Sequence, residues 1–197
     1  MTTAHAISSV GEACDFVQHW LGIKADLPGP APALDFALPH AISTLNRRLG
    51  QLWAKGQMRW PNLFATQDTL LAPDGYERGA EGVVPFLWEN QGVWGCGYKP
   101  NEPEQLWVTG DWPDERVGSC GWRRTSAAVD SAVIFLLLAN MAWASPQSSM
   151  QEGPRPLQAD QLLWSFTPWA GFDGFWTDRG RTLLHLAGPG MDLTFYR

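Results

Sequence analysis

Near the start of the chain, apolar residues recur at helical spacing in two places. Val10, Ala13, Cys14, Val17, Trp20 and Leu21 form one stripe, with Ser9-x-x-Glu12 ahead of it as a capping box and Gly22 behind it. This predicts a helix over 9–21 with His19 off the stripe, in solvent. A second stripe, Leu38, Ile42, Leu45, Leu49, Leu52 and Trp53, starts at Pro39, which suits a first helical turn, and closes at Gly56. Between them, residues 27–34 alternate prolines with small residues, a stiff link that routes the first helix across the surface. After Pro61 the pattern shortens to strands at 62–66, 83–89, 93–98 and 105–109. A turn is expected at 72–76, and polar links at 99–104 and 110–115. Thr125 or Ser126 is placed to cap a third helix, apolar nearly all round from 127 to 144 and therefore buried, with Ser145-Pro146 as its stop. Residues 146–156 read as a polar, mobile loop. The tail returns to strands at 162–166, 174–177, 182–187 and 191–196, with reversals at 178–180 and 188–190. Two helices, a meander, a buried helix and a closing meander predict a single α+β domain, largely antiparallel, with helices on one side of the sheet.

The meander centres on residues 83–98, where two runs rich in β-branched and aromatic residues flank Glu89-Asn90-Gln91-Gly92. Asn and Gly take the positive φ of a tight reversal, so the stretch is a β-hairpin. Pro85 cannot donate to a ladder and belongs at an edge, a strand start or a bulge. Glu89 is either a strand-end residue in water or a carboxylate held by its neighbours.

Composition changes this picture in three ways. With 45% hydrophobic and 17% charged residues, the 197-residue chain is an ordered globule that needs no second domain. Its twelve tryptophans serve mostly as core, although tryptophan is also favoured at binding surfaces. Cys14, Cys96 and Cys120 form no C-x-x-C pair. That pattern, with no basic-then-apolar leader and no apolar run long enough for a bilayer, leads to an expectation of reduced thiols in the cytoplasm. The net charge of −6 is uneven: residues 68–115 hold ten acids against Arg78 and Lys99, whereas each flank is close to neutral. A local acidic field favours a basic partner and repels nucleic acid. Arg47, Arg48 and Lys55 on the second helix have no aromatic platform and read as a solvated face.

No catalytic constellation emerges. His5, His19, His40 and His185 are scattered, without metal-binding spacing. Gly92, Gly95 and Gly97 are followed by strand-like sequence instead of a helix, so they do not form a phosphate loop. Cys96 and Cys120 read as core thiols, and His185 as a strand residue with a hydrogen-bond partner. Asp111 with Asp114 or Glu115 is a carboxylate pair lacking further ligands. The expectation is a protein with no cofactor and no metal.

Phe-Leu-Trp-Glu-Asn-Gln-Gly-Val-Trp-Gly, residues 86–95, resembles the sheet signature of the SUKH superfamily: an aromatic strand, Glu-x-Gln-x, then a second aromatic strand. Leu38-Pro39 opening a helix, Gln67-Asp68-x-Leu70-Leu71 before the hairpin and Phe135-Leu-Leu-Leu138 on a late helix follow in the same order. The resemblance runs from Leu38 to the C-terminus. It leaves residues 1–37 as an added helix and link, and departs from the pattern where Leu49-Gly50 replaces an Asn-Gly segment. It implies a SUKH-like fold and a non-enzymatic immunity protein that binds a cognate bacterial toxin domain; the charge and hydropathy read above add the expectation of no membrane and no nucleic acid as partner. The residues expected to meet that toxin are Glu102, Glu104, Asp111, Trp112, Asp114 and Glu115. They are chosen for charge, loop placement and one exposed tryptophan, not by the resemblance. Two alternatives remain open: a carbohydrate-binding module using Trp88, Trp94, Trp107 and Trp112, and a regulatory scaffold.

Overall fold

In the computed structural model, residues 6–53, 63–66, 68–79, 81–110, 121–145, 149–165, 173–188 and 191–197 are described. The first helix, α1, is Val10–Leu21, and its cap is shared differently from the box the sequence suggests. The Ser9 hydroxyl accepts the Glu12 amide at 3.3 Å, but the Glu12 carboxylate takes the amide and hydroxyl of Ser8 (2.6 and 2.8 Å). The second helix, α2, spans His40–Leu49 and tightens into a 3-10 turn at Gly50–Leu52. Gly56 lies outside the described residues. The proline-rich link runs beside the end of α2, where the Leu27 and Gly29 amides donate to the carbonyls of Arg48 and Asn46, both at 2.8 Å. The Arg48 carbonyl, which a helix end would leave unpaired, is thus satisfied by the link, and the Asn46 carbonyl, already bonded to the Gly50 amide, gains a second donor. Arg48 pairs with both Asp15 of α1 and Asp26 of the link, tying the three segments together.

The fold class is α+β, as expected, but the strands form two antiparallel sheets instead of one. The first contains β1 (Thr69–Leu70), β2 (Val84–Trp88), β3 (Trp94–Lys99), β4 (Glu102–Gly110) and β5 (Arg123–Ala128), in chain order. The second is built from β6 (Ser149–Glu152), β7 (Gln161–Trp164), β8 (Gly174–Thr177), β9 (Leu183–Gly188) and β10 (Met191–Tyr196), ordered β6-β10-β9-β8-β7. Helix α3 (Val129–Ala144) follows β5 without a break and separates the sheets in the chain. It packs on α1, α2 and the first sheet. Phe135 meets Phe175 of β8, and Trp143 meets Phe195 of β10, with ring centroids 6.4 and 5.3 Å apart. Neighbours on every side explain why α3 is apolar all round. No helix among the described residues is long and apolar enough to cross a membrane.

Four expectations change. Of 62–66, Asn62 lies outside the described residues, Leu63 and Phe64 form a turn, and Ala65 makes only an isolated bridge to Thr69. The 99–104 link does not project, because β4 already begins at Glu102 opposite Lys99. Thr125 and Ser126 cap nothing. The Gln105 amide donates to the carbonyls of Thr125 and Ala127, and the Thr125 hydroxyl to that of Leu106, which holds 123–128 as a strand. Within 146–156, residues 149–152 are a strand.

Candidate functional site

Alternation gives the first sheet two unlike faces. Val84, Phe86, Leu87, Cys96, Tyr98, Leu106 and Val108 point into the core. The opposite face carries Trp88 over Gly95 and, across the strands in register, Pro85, Gly97, Trp107 and Arg124, with Lys99 opposite Glu102. The glycines are there for the rings. A Cβ on Gly95 would stand 2.6 Å from the Trp88 indole, and one on Gly97 would stand 2.5 Å from Val83 and 3.1 Å from Trp122. Trp88 and Trp122 meet edge-on at 6.0 Å, and the Lys99 ammonium lies 4.0 Å from the centre of the Trp107 ring. Trp122 is steadied by the Glu81 carboxylate, which accepts its backbone amide at 3.3 Å. The result is a strip of half-buried tryptophans and charges running toward the start of β4.

Glu102 and Glu104 leave β4 at that end. Glu102 pairs with Arg124 at 3.1 Å. Glu104 accepts the backbone amide of His40 at 2.8 Å, doing for α2 what Pro39 at its N-cap cannot. Asp130, in the first turn of α3, is held above the usual carboxylate range by burial and by the nearby Glu104 charge, against the pull of His40. An open groove of about 370 Å³ runs between Glu102, Glu104, Gln105, Arg124 and Ser126.

Asp111, Trp112, Asp114 and Glu115 lie outside the described residues. Their segment departs from Gly110, at the far end of β4 from Glu102. Eight strand steps separate the two ends, roughly 25 Å, so the six chosen residues do not start from one place. Gly110 takes φ +80°, and a Cβ there would strike the Val93 carbonyl.

Other acids of the segment have local duties. Glu89 is held by neighbours: its carboxylate accepts the amides of Gln91 (2.9 Å) and Val93 (3.2 Å), closing the hairpin whose Gly92 has φ +72°. Pro85 sits at a bulge, beyond the reach of β1. Asp68 accepts the Asn90 amide, yet burial, reinforced by the Glu89 charge, pushes its carboxyl up to about 6. Its own backbone is clasped by the buried Asn140 of α3, which donates to the Asp68 carbonyl at 2.9 Å.

Burial raises the Cys14 thiol to about 12 and the Cys96 thiol well above its ordinary range, so both stay protonated and inert. His185 is fully buried, with Nδ1 2.9 Å from the Thr194 hydroxyl. Among the described residues no group of three or more His, Cys, Asp and Glu is arranged to hold a metal ion. Sequence reasoning missed Lys99, Trp122 and Arg124. Lys99 had a readable signal in its place one strand step from a tryptophan-bearing neighbour, whereas Trp122 lies in irregular chain with none. Of the tryptophans proposed for sugar, Trp88 and Trp107 share the outer face, Trp94 packs against the core, and Trp112 lies outside the described residues. No family model, curated protein or solved structure matches this chain.

Proposed function

We propose that this chain is a non-enzymatic immunity protein of the cytoplasm that neutralises a basic toxin domain by covering its active surface. The observation that carries the reading is the open groove that Glu102 and Glu104 line together, with Asp130 near enough behind Glu104 to feel its charge. The half-buried Trp107 lies beside them on the outer face, and Arg124 is the cation lining the groove. A toxin that acts on nucleic acid binds phosphates with lysine and arginine. Carboxylates on a rigid strand can take those phosphate positions and steer the encounter. Trp107 and Trp122 would supply the apolar anchors that charge alone does not give.

The test takes as its partner a basic toxin domain sought in the reading frame next to that of this protein. Glu102→Gln with Glu104→Gln removes two charges but leaves Glu104 an oxygen for the His40 amide. Affinity should fall by about 10- to 100-fold at low salt, chiefly through slower association. Unchanged affinity at low ionic strength would remove the groove from the interface. Tryptophan emission that stays fixed on toxin addition but shifts with oligosaccharides would favour a sugar-binding module instead.

A further inference from the structure

The four sheet edges are protected unequally. β1 is two residues long, and the chain before it folds back on it through the Ala65–Thr69 bridge. β5 is broken from regular pairing by a register shift against Gln105–Trp107, and it carries Arg123 and Arg124. Along β7, the carbonyls of Leu162 and Leu163 accept the amides of Ala6 (3.2 Å) and Ile7 (2.9 Å). Bulges, charges, shortness and covering segments are the usual means of keeping an edge from pairing. Among the described residues β6 has two of these, its four-residue length and the charge of Glu152, but neither a bulge nor a covering segment. It pairs with β10 in unbroken register from Ser149–Tyr196 to Glu152–Leu193, and all four of its residues are exposed.

The phase of its free hydrogen-bonding groups follows from one contact. Gly153 donates its amide to the Asp192 carbonyl at 3.0 Å, so by alternation the amides of Gln151 and Ser149 also face β10. Those of Met150 and Glu152, with their carbonyls, face away from the sheet. Met150 is 50% exposed and stands at the rim of the core face, opposite Phe195.

We propose that β6 pairs with β6 of a second copy of this chain, joining two five-stranded sheets into one of ten strands. A two-fold axis that joins antiparallel edges is normal to the sheet and keeps each face on its side. Met150 then falls opposite Met150 of the second copy, flanked by Ser149 opposite Gln151. The outward groups of the two Met150 residues bond to each other. Apolar meets apolar, neutral meets neutral, and Glu152 opposes no like charge, which is the self-complementarity an isologous contact requires. The strand is short, so the dimer is weak, with a Kd on the order of 100 μM.

Sedimentation velocity on the full chain, from about 10 to about 500 μM, tests this directly. The wild-type average mass should rise with concentration. Met150→Lys places like charges opposite each other and should weaken association by about tenfold or more. Glu152→Pro removes an outward amide while sparing the β10 ladder, and should do the same. The melting temperature of each variant shows which of them folds normally, and that one decides. A wild-type chain that stays monomeric throughout, or a dimer indifferent to a normally folded variant, would overturn the proposal.

Discussion

The two sheets have the same strand number and pack against the same helix, yet they treat their outer faces in opposite ways. The first leaves Lys99, Glu102 and Arg124 at the surface among half-buried tryptophans. The second has its two chain-adjacent strands, β6 and β7, at opposite edges, so the 153–160 link must cross from one side to the other. In crossing, it places the Arg155 guanidinium 4.8 Å from the Trp176 ring centre, and His185 on that face is fully buried. Topology therefore decides which face is available. An all-neighbour meander exposes its outer face, whereas a split order uses a loop to cover it. The toxin-binding surface proposed above lies on that exposed face of the first sheet, and the second sheet offers only its β6 edge.

The hardest way to break that comparison is to fill the glycine floor. Gly97→Val would set a branched side chain against Val83, the Val84 carbonyl and Trp122, and backbone cannot give way as a flexible side chain can. Destabilisation of about 3 kcal/mol is expected in urea unfolding. Loss of less than about 1 kcal/mol would mean that the indoles are loosely seated and the outer face is not a built surface.

The same contrast separates what could be read from the sequence. α1, the hairpin and the strands β8 to β10 follow from periodicity and turn chemistry, which are local. β5 and β6 do not. Arg-Arg-Thr-Ser-Ala-Ala lacks apolar alternation and looks like a cap; it is a strand because the Gln105 side chain, some 20 residues away, bonds its carbonyls. Ser-Met-Gln-Glu has no buried face to produce a pattern. Glu102 and Glu104 were legible as charge, but their partners were not. The amide that Glu104 accepts is 64 residues distant in sequence, and Arg124 is 22 from Glu102. Counting acids did not show which of them are tied down: Glu81, Glu89 and Glu104 each hold backbone amides and keep their charge, whereas Glu102 is paired with Arg124.

Acid should act on the two sheets with opposite sign. The Asp68 carboxyl, at about 6 in the fold, binds a proton more readily than in the unfolded chain. Its contribution therefore grows as pH falls through 6 toward the unfolded value. His185 is held below its ordinary value, mainly by burial, with Arg155 adding to that and Asp192 opposing it. Neutral His185 favours the fold above the unfolded pKa, and that stability is lost as pH falls through the folded one. Asp68→Asn should raise stability by about 1–2 kcal/mol at pH 7.5 and by much less near pH 5. His185→Gln, whatever it costs at neutral pH, should flatten the acid limb. Urea midpoints at both pH values check each substitution. A stability gain in Asp68→Asn that is equal at both pH values would exclude the buried carboxylate as the titrating group.

The smallest effect sharpens the comparison most. Glu102 and Arg124 have side chains 40% and 57% exposed, so their ion pair works in water and is screened by salt. Glu102→Gln should change stability by less than about 0.5 kcal/mol, within the scatter of surface substitutions and far below the effect at Gly97. If thermal and urea unfolding agree on so small a change, the fold gains almost nothing from that carboxylate. Any loss of partner affinity in the same variant then reports on recognition, because the sheet beneath remains intact. A cost above about 1 kcal/mol would instead make Glu102 a strut between β4 and β5. The outer face of the first sheet would then serve folding just as the covered face of the second does, and would have no side chains to spare for a partner.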